Sequence, residues 1–329
     1  MPRRKLRIVP LSNTSDLSKG PIDLTTGFWI RDISGLLTTD TFHPFSARLS
    51  EEDQRDLLAW DLCLVHEFQS DLVLGSEETT SLYLMRFVVA ALRWIRATQT
   101  TDTWFVQGFL TRGDSLTIPR YSTRMETITV PQFATRPQPI FVEDFEARVG
   151  PADPEVFRDV APFIPRFQKI VADMILGKQS YVPVIIATRL AEQAYLEFDP
   201  QIRFLKRMMA LEALFSTDAT YGKKSLVPRV PKFIGASTPI YPRTGAPYTV
   251  GSTIEDILTL RNKFAHGDVV PTAFLTTAAH PDIVSTNVKS YADVLRECSA
   301  LLVRDSLSKI FRAGLEETFS DKAKMEALF

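Results

Sequence analysis

At Pro151 the chain changes its hydrophobic rhythm, and this change constrains its architecture more than any other feature. Before it, β-branched and aromatic residues gather in short runs, Leu6 to Leu11, Phe28 to Ile33, Thr103 to Leu110, Glu126 to Val130 and Ile140 to Phe145, which read as strands. Two helical patterns interrupt them, one opening at Ser50 with the acidic turn Glu51-Glu52-Asp53 and one running from about Glu78 to Arg96. After Pro151, apolar residues recur at helical spacing, and helices are expected over 166–176, 183–198, 201–216, 253–266 and 284–313. Pro151, Pro154, Pro162 and Pro165 punctuate the change and hold back the first of these helices, which Gly177 ends. The expectation is an α+β domain over 1–150, of sensing, recruiting or restraining role and open to a protein partner, followed by an all-α bundle over 151–329. Length agrees, because 329 residues exceed what a single core usually fills.

Charge narrows the function classes. Thirty-eight basic residues against thirty-nine acidic ones leave a net charge of -1, so no global field draws the protein to nucleic acid and any such contact must be local. Cys63 and Cys298 are far apart in sequence and show no metal-ligand spacing, which disfavours a disulfide scaffold or a zinc site and suits a reducing compartment. The basic start at Arg3-Arg4-Lys5 is followed by no apolar run of signal-peptide length, and the most apolar helical stretch, Ser81 to Ile95, carries Arg86 and Arg93 and is too short to span a bilayer. A cytoplasmic location without membrane contact is expected. His43, His66 and His280 lack ligand partners at useful spacing, so no metal or cofactor is expected, and Glu316-Glu317 reads as a helix start or a solvated face.

Chemistry concentrates in the helix expected at 253–266. Ser252-Thr253-Ile254-Glu255 has the form of a capping box and Gly267 that of a helix stop. Ile254, Ile257, Leu258, Leu260, Phe264 and Ala265 fall on one arc at helical spacing, with Arg261 in its middle. A guanidinium there needs a counter-charge or a bound anion. The helix at 201–216 offers one: Leu205, Met208, Met209, Phe215 and Ser216 form a similar arc with Glu212 at its centre. Asn262 and His266, four residues apart, share a face beside Arg261. Arginine can grip a phosphate with two donors and histidine exchanges protons near neutral pH, a combination suited to RNA cleavage without a metal.

Thr217 to Gly251 contains five prolines and four glycines and is expected to be irregular, with Pro228 and Pro231 breaking any helix from Lys224 to Ile234. No acidic residue stands between Asp218 and Glu255, whereas Lys223, Lys224, Arg229, Lys232 and Arg243 are basic. The first four are candidates for holding RNA, with Tyr221, Phe233, Tyr241 and Tyr248 placed to stack on bases, although such strips also occur as solvated loops.

The segment Arg261-Asn262-Lys263-Phe264-Ala265-His266-Gly267 resembles the arginine, polar residue, then histidine motif of HEPN domains, and Leu211-Glu212-Ala213-Leu214-Phe215 resembles the upstream helix of their Apea-like branch, a likeness covering about 185–310. The resemblance implies a helical bundle that pairs with a second copy, and a metal-independent endoribonuclease of defence or toxin-like role. It implies Arg261 on the scissile phosphate, His266 in proton transfer, Asn262 as orienter, and 2′,3′-cyclic phosphate and 5′-hydroxyl products. The alternative is a noncatalytic adaptor for dimerisation or for binding nucleotides or nucleic acid, in which Arg261 serves only as the ion-pair partner of Glu212.

Overall fold

The computed structural model describes residues 3–11, 21–25, 27–32, 34–35, 62–70, 76–95, 105–109, 120–121, 154–195, 197, 199–217, 222–241, 247–275 and 290–329. The strands expected at Glu126 to Val130 and Ile140 to Phe145, the helix opening at Ser50, and Arg243, Tyr221, His43 and His280 lie outside these residues. The chain divides into two compact units, Met1–Lys178 and Gln179–Phe329. A helical pattern at 164–175, expected on the far side of the boundary, therefore belongs to the first unit, where Phe167 stacks on Phe87 at 5.2 Å between ring centroids.

The first unit is α+β. Strands β1 (Arg3–Leu11), β2 (Ile22–Thr25), β3 (Phe28–Asp32), β4 (Leu62–Ser70), β5 (Phe105–Phe109) and β6 (Arg120–Tyr121) form an antiparallel sheet in the order β2-β3-β4-β1-β5-β6. Ile22 and Leu24 of β2 and Phe28 and Ile30 of β3 are buried at every second position, the period of a pleated strand with one face to the core. Five consecutive residues of β4, Leu62 to His66, are buried, so both faces of this central strand are covered. Helix α1 (Ser76–Trp94) packs on β4, where His66 Nδ1 lies 2.8 Å from Ser81 Oγ and the imidazole stacks on Phe28 at 3.9 Å. A 3₁₀ segment (Pro154–Phe163) leads into α2 (Ile164–Ile175), which starts earlier than expected because Pro165 sits in its first turn, where no N–H partner is lost.

The turn between β2 and β3 rests on Gly27. Its φ is +82°, its carbonyl accepts from Glu67 N at 2.8 Å, and a Cβ there would lie 2.7 Å from the Glu67 carbonyl oxygen. Gly27→Ala is therefore expected to destabilise the first unit by about 1–3 kcal/mol. A denaturant midpoint unchanged from wild type would refute this account of the turn.

The second unit is helical: α3 (Val182–Tyr195), α4 (Pro200–Phe215), α5 (Lys223–Ile234), α6 (Val250–His266), α7 (Thr272–Leu275), α8 (Tyr291–Ala313), α9 (Glu316–Ser320) and α10 (Lys322–Leu328). One small antiparallel ribbon, β7 (Pro239–Tyr241) with β8 (Tyr248–Thr249), departs from the all-α expectation. Helices α4, α6 and α8 pack on one another, and α5 packs on all three. The core is aromatic at one end, where Phe215 meets Phe233 and Phe319 at 5.5 Å each and Phe329 at 5.9 Å.

Helix α5 overturns the expectation of an irregular stretch after Thr217. Pro228 and Pro231 each remove a backbone donor, but Pro228 is exposed and Pro231 half-buried, so the lost bonds belong to the outer side of the helix. The inner side buries Ser225, Leu226, Arg229, Val230 and Phe233, and this packing overrides the local preference. Among the described residues, no helix is long and apolar enough to cross a membrane.

Candidate active site

Helix α6 carries the candidate residues, and both of its ends are fixed by side-chain chemistry. Its start lies earlier than the expected capping box: Thr249 is the N-cap, Thr249 N donates to Ser252 Oγ at 2.9 Å, and Ser252 N donates to Thr249 Oγ1 at 3.3 Å. Glu255, expected in the capping box, instead forms an ion pair with Lys223. At the other end Gly267 takes φ +67°, and Asp268 N donates to the Lys263 carbonyl at 2.9 Å, closing the last turn.

Arg261 and Glu212 are in contact. The Nη2 nitrogen of Arg261 lies 2.8 Å from Glu212 Oε1 and 3.0 Å from Oε2, while Nη1 donates to Asn262 Oδ1 at 3.1 Å. The two side chains are 26% and 23% exposed, so the pair sits at the rim of the bundle rather than inside it. Asn262 and His266 are exposed. Asn262 and His266, four residues apart, share an open face of α6, and the contact with Asn262 links the guanidinium to that face.

The arcs that placed these charges need correction. On α6, Ile254, Ile257, Leu258 and Leu260 are buried, but Phe264 is half-buried and Ala265 is exposed. On α4 the buried residues are Arg203, Phe204, Arg207, Met208, Ala210, Leu211, Leu214 and Phe215, with Met209 50% exposed, so Glu212 stands on the flank of the helix rather than at the centre of its core face. Arg203 and Arg207 are buried because their donors reach backbone carbonyls, Arg203 Nε to Glu197 O at 2.8 Å and Arg207 Nη1 to Arg296 O at 3.2 Å. Next to the candidate turn, Phe264 meets the edge of Phe204 at 5.8 Å and lies under the Arg296 guanidinium at 5.9 Å. Neither contact could be read from sequence, since residues distant in the chain make them.

The basic strip does not present a single surface. Lys223, Lys224 and Lys232 are exposed, whereas Arg229 is buried, donating to Phe215 O at 2.7 Å and to Glu326 Oε2 at 2.7 Å. Lys232 Nζ donates to Phe329 O at 2.9 Å. Phe233, Tyr241 and Tyr248 are buried and are not stacking platforms. Glu316 and Glu317 do open a helix, but Glu316 is buried rather than solvated, and Glu317 accepts from Tyr181 Oη at 3.2 Å.

Other titratable groups are structural. Burial pushes the Cys63 and Cys298 thiols far up, which makes them poor nucleophiles. Burial, and then the charge of Asp256, push up the Tyr291 hydroxyl, which donates to Asp256 Oδ2 at 2.9 Å and ties α8 to α6. Among the described residues no group of three His, Cys, Asp or Glu side chains is placed to hold a metal ion. No family profile, curated protein or solved structure matches this chain.

Proposed function

We propose that the second unit is an Apea-like HEPN-type endoribonuclease that cleaves RNA without a metal. The observation that carries the reading is the open last turn of α6, where the Arg261 guanidinium is held by Glu212 and turned toward Asn262 beside an exposed His266. A guanidinium has five N–H donors in a planar fork, so one already oriented by a carboxylate can still take up a phosphate. In the proposed mechanism Arg261 binds the scissile phosphate and stabilises its developing charge. His266 moves the proton at the 2′-hydroxyl or at the leaving oxygen. Asn262 keeps the guanidinium on the reacting side. Attack by the 2′-oxygen on its own phosphate leaves a 2′,3′-cyclic phosphate and a 5′-hydroxyl.

Pairing with a second copy belongs to this proposal. Ile202 and Met209, 46% and 50% exposed, lie on the same side of α4 as Glu212, and a partner there would cover apolar surface beside the site. A cytoplasmic setting, a defence or toxin-like role, and a regulatory first unit open to a protein partner complete the reading.

The second reading, a noncatalytic adaptor, draws on the 2.8 Å contact between Arg261 and Glu212, which satisfies the arginine without any ligand. Incubation of the purified chain with mixed RNA in EDTA separates the two. Cleavage leaving cyclic phosphate ends is expected. Intact RNA, or cleavage only after a divalent metal is restored, would overturn the metal-free nuclease.

A further inference from the structure

The end of α6 brings one more charge to the open face than the proposed chemistry uses. At about 100° per residue, Arg261, Asn262, His266 and Lys263 follow one another round the helix in that order, with Lys263 about 60° beyond His266. Lys263 stands three positions before His266 in the chain, and side chains at that spacing are neighbours on a helix surface. The Lys263 side chain is 35% exposed and that of its partner, Asp268, 56%.

Asp268 is placed by the backbone. Gly267 takes φ +67°, which folds the chain back so that Asp268 N donates to the Lys263 carbonyl at 2.9 Å. The carboxylate is thereby set beside Lys263 Nζ, yet the two stand 3.4 Å apart, longer than a charge-assisted hydrogen bond normally runs. A pair this exposed contributes little to stability, because solvent screens it. An ammonium held so loosely can exchange the carboxylate for a phosphate, since both offer anionic oxygens to the same three donors. A strand with its scissile phosphate on Arg261 and its reacting oxygen at His266 continues past His266. Lys263 stands on that side.

We propose that Lys263 is a further substrate-binding residue, which leaves Asp268 to hold a phosphate flanking the scissile one on the His266 side. The inference rests on the ribonuclease reading, which puts the scissile phosphate at Arg261. Its consequence concerns substrate class. The site favours strands with more than one phosphate over a dinucleotide, and Asp268, fixed beside the ammonium, repels the flanking phosphate and so limits the grip on it.

The test uses strands of mixed sequence with a single ribonucleotide in a 2′-O-methyl background, so that cleavage is confined to one linkage. A neutral methylphosphonate then replaces one neighbouring phosphate at a time. With the full chain, the methylphosphonate at one flanking position should lower kcat/KM about fivefold, the scale of one exposed charge contact. Lys263→Gln should cleave the all-phosphate strand about fivefold less well, and the same methylphosphonate should then have no further effect. The loss should lie in KM rather than kcat, because the contact is the same in ground and transition states. On a fully 2′-O-methyl strand, which cannot be cleaved, Lys263→Gln should bind with a log–log salt slope shallower by about 0.7, for one lost phosphate contact. Asp268→Asn should bind more tightly than wild type, but not in the Lys263→Gln background, with thermal melts showing that the variants are folded. A merely structural pair would show no coupling to one phosphate. Equal sensitivity to the methylphosphonate in wild type and Lys263→Gln would overturn the assignment and leave the nuclease in place. No cleavage, with the salt slope still dependent on Lys263, would sustain the phosphate contact and remove the nuclease. No cleavage and no such dependence would overturn both.

Discussion

Replacing His266 by alanine is expected to lower RNA cleavage by about 10²- to 10⁴-fold, the contribution of a positioned general acid or base. The same change should leave the unfolding midpoint unaltered, because the imidazole is exposed on the last turn of α6. Arg261 should behave differently. Its removal takes away the phosphate-binding donors, at a cost of about 10²- to 10³-fold in rate. It also leaves the partly buried carboxylate of Glu212 without its cation, which destabilises the unit by about 1–2 kcal/mol. Arg261→Lys keeps the charge but not the planar fork, so it should recover stability more fully than rate. Single-turnover cleavage and a denaturation curve on each variant give both numbers. A large loss of stability on Arg261→Ala, with no cleavage by wild type or by His266→Ala, would point to the adaptor.

The largest effect on stability is expected at Phe215. Its ring is fully buried and meets Phe233, Phe319 and Phe329. Phe215→Ala should cost about 3–5 kcal/mol, the range for removing a buried aromatic side chain from a core that cannot collapse around the gap. The change should act on the second unit alone, since Phe215 lies within it. Urea unfolding followed by a probe in each unit would show one transition moved and the other fixed. A loss below about 1 kcal/mol would mean that the aromatic end is soft enough to close over the cavity.

Much of the helical unit was legible because its signals are local. Gly267 marks a helix end by adopting the left-handed conformation that closes the turn. The charges on Glu212 and Arg261 stood out because each interrupts an apolar pattern. What sequence misplaced has physical causes. Two hydroxyl residues compete to start α6, and Thr249 wins over Ser252 because Val250 is buried and extends the helix back by a turn. Pattern reading sorts by residue type, so it put Met209 on the apolar arc and assigned no place to Arg203 and Arg207. In the structure the arginines are buried because they find carbonyl acceptors, while Met209 remains on the surface. Helix α5 was hidden by its prolines, whose usual meaning fails where the lost bonds belong to the outer side of the helix. The bond from Arg229 to Glu326 joins residues 97 positions apart, a separation that no local signal spans.

That same long reach governs synthesis. The aromatic end of the second unit joins residues of α4 and α5 to Phe319 and Phe329, so a growing chain cannot close this part of its core until residue 329 has left the ribosome. Helix α4 is capped at its last carbonyl by Arg229, whose counter-charge also arrives late. The turn of α4 that bears Glu212 is therefore set only after translation has passed it by more than a hundred residues, since Glu326 follows Thr217 by 109 positions. The arginine oriented by Glu212 is thus among the later features of the second unit to be fixed.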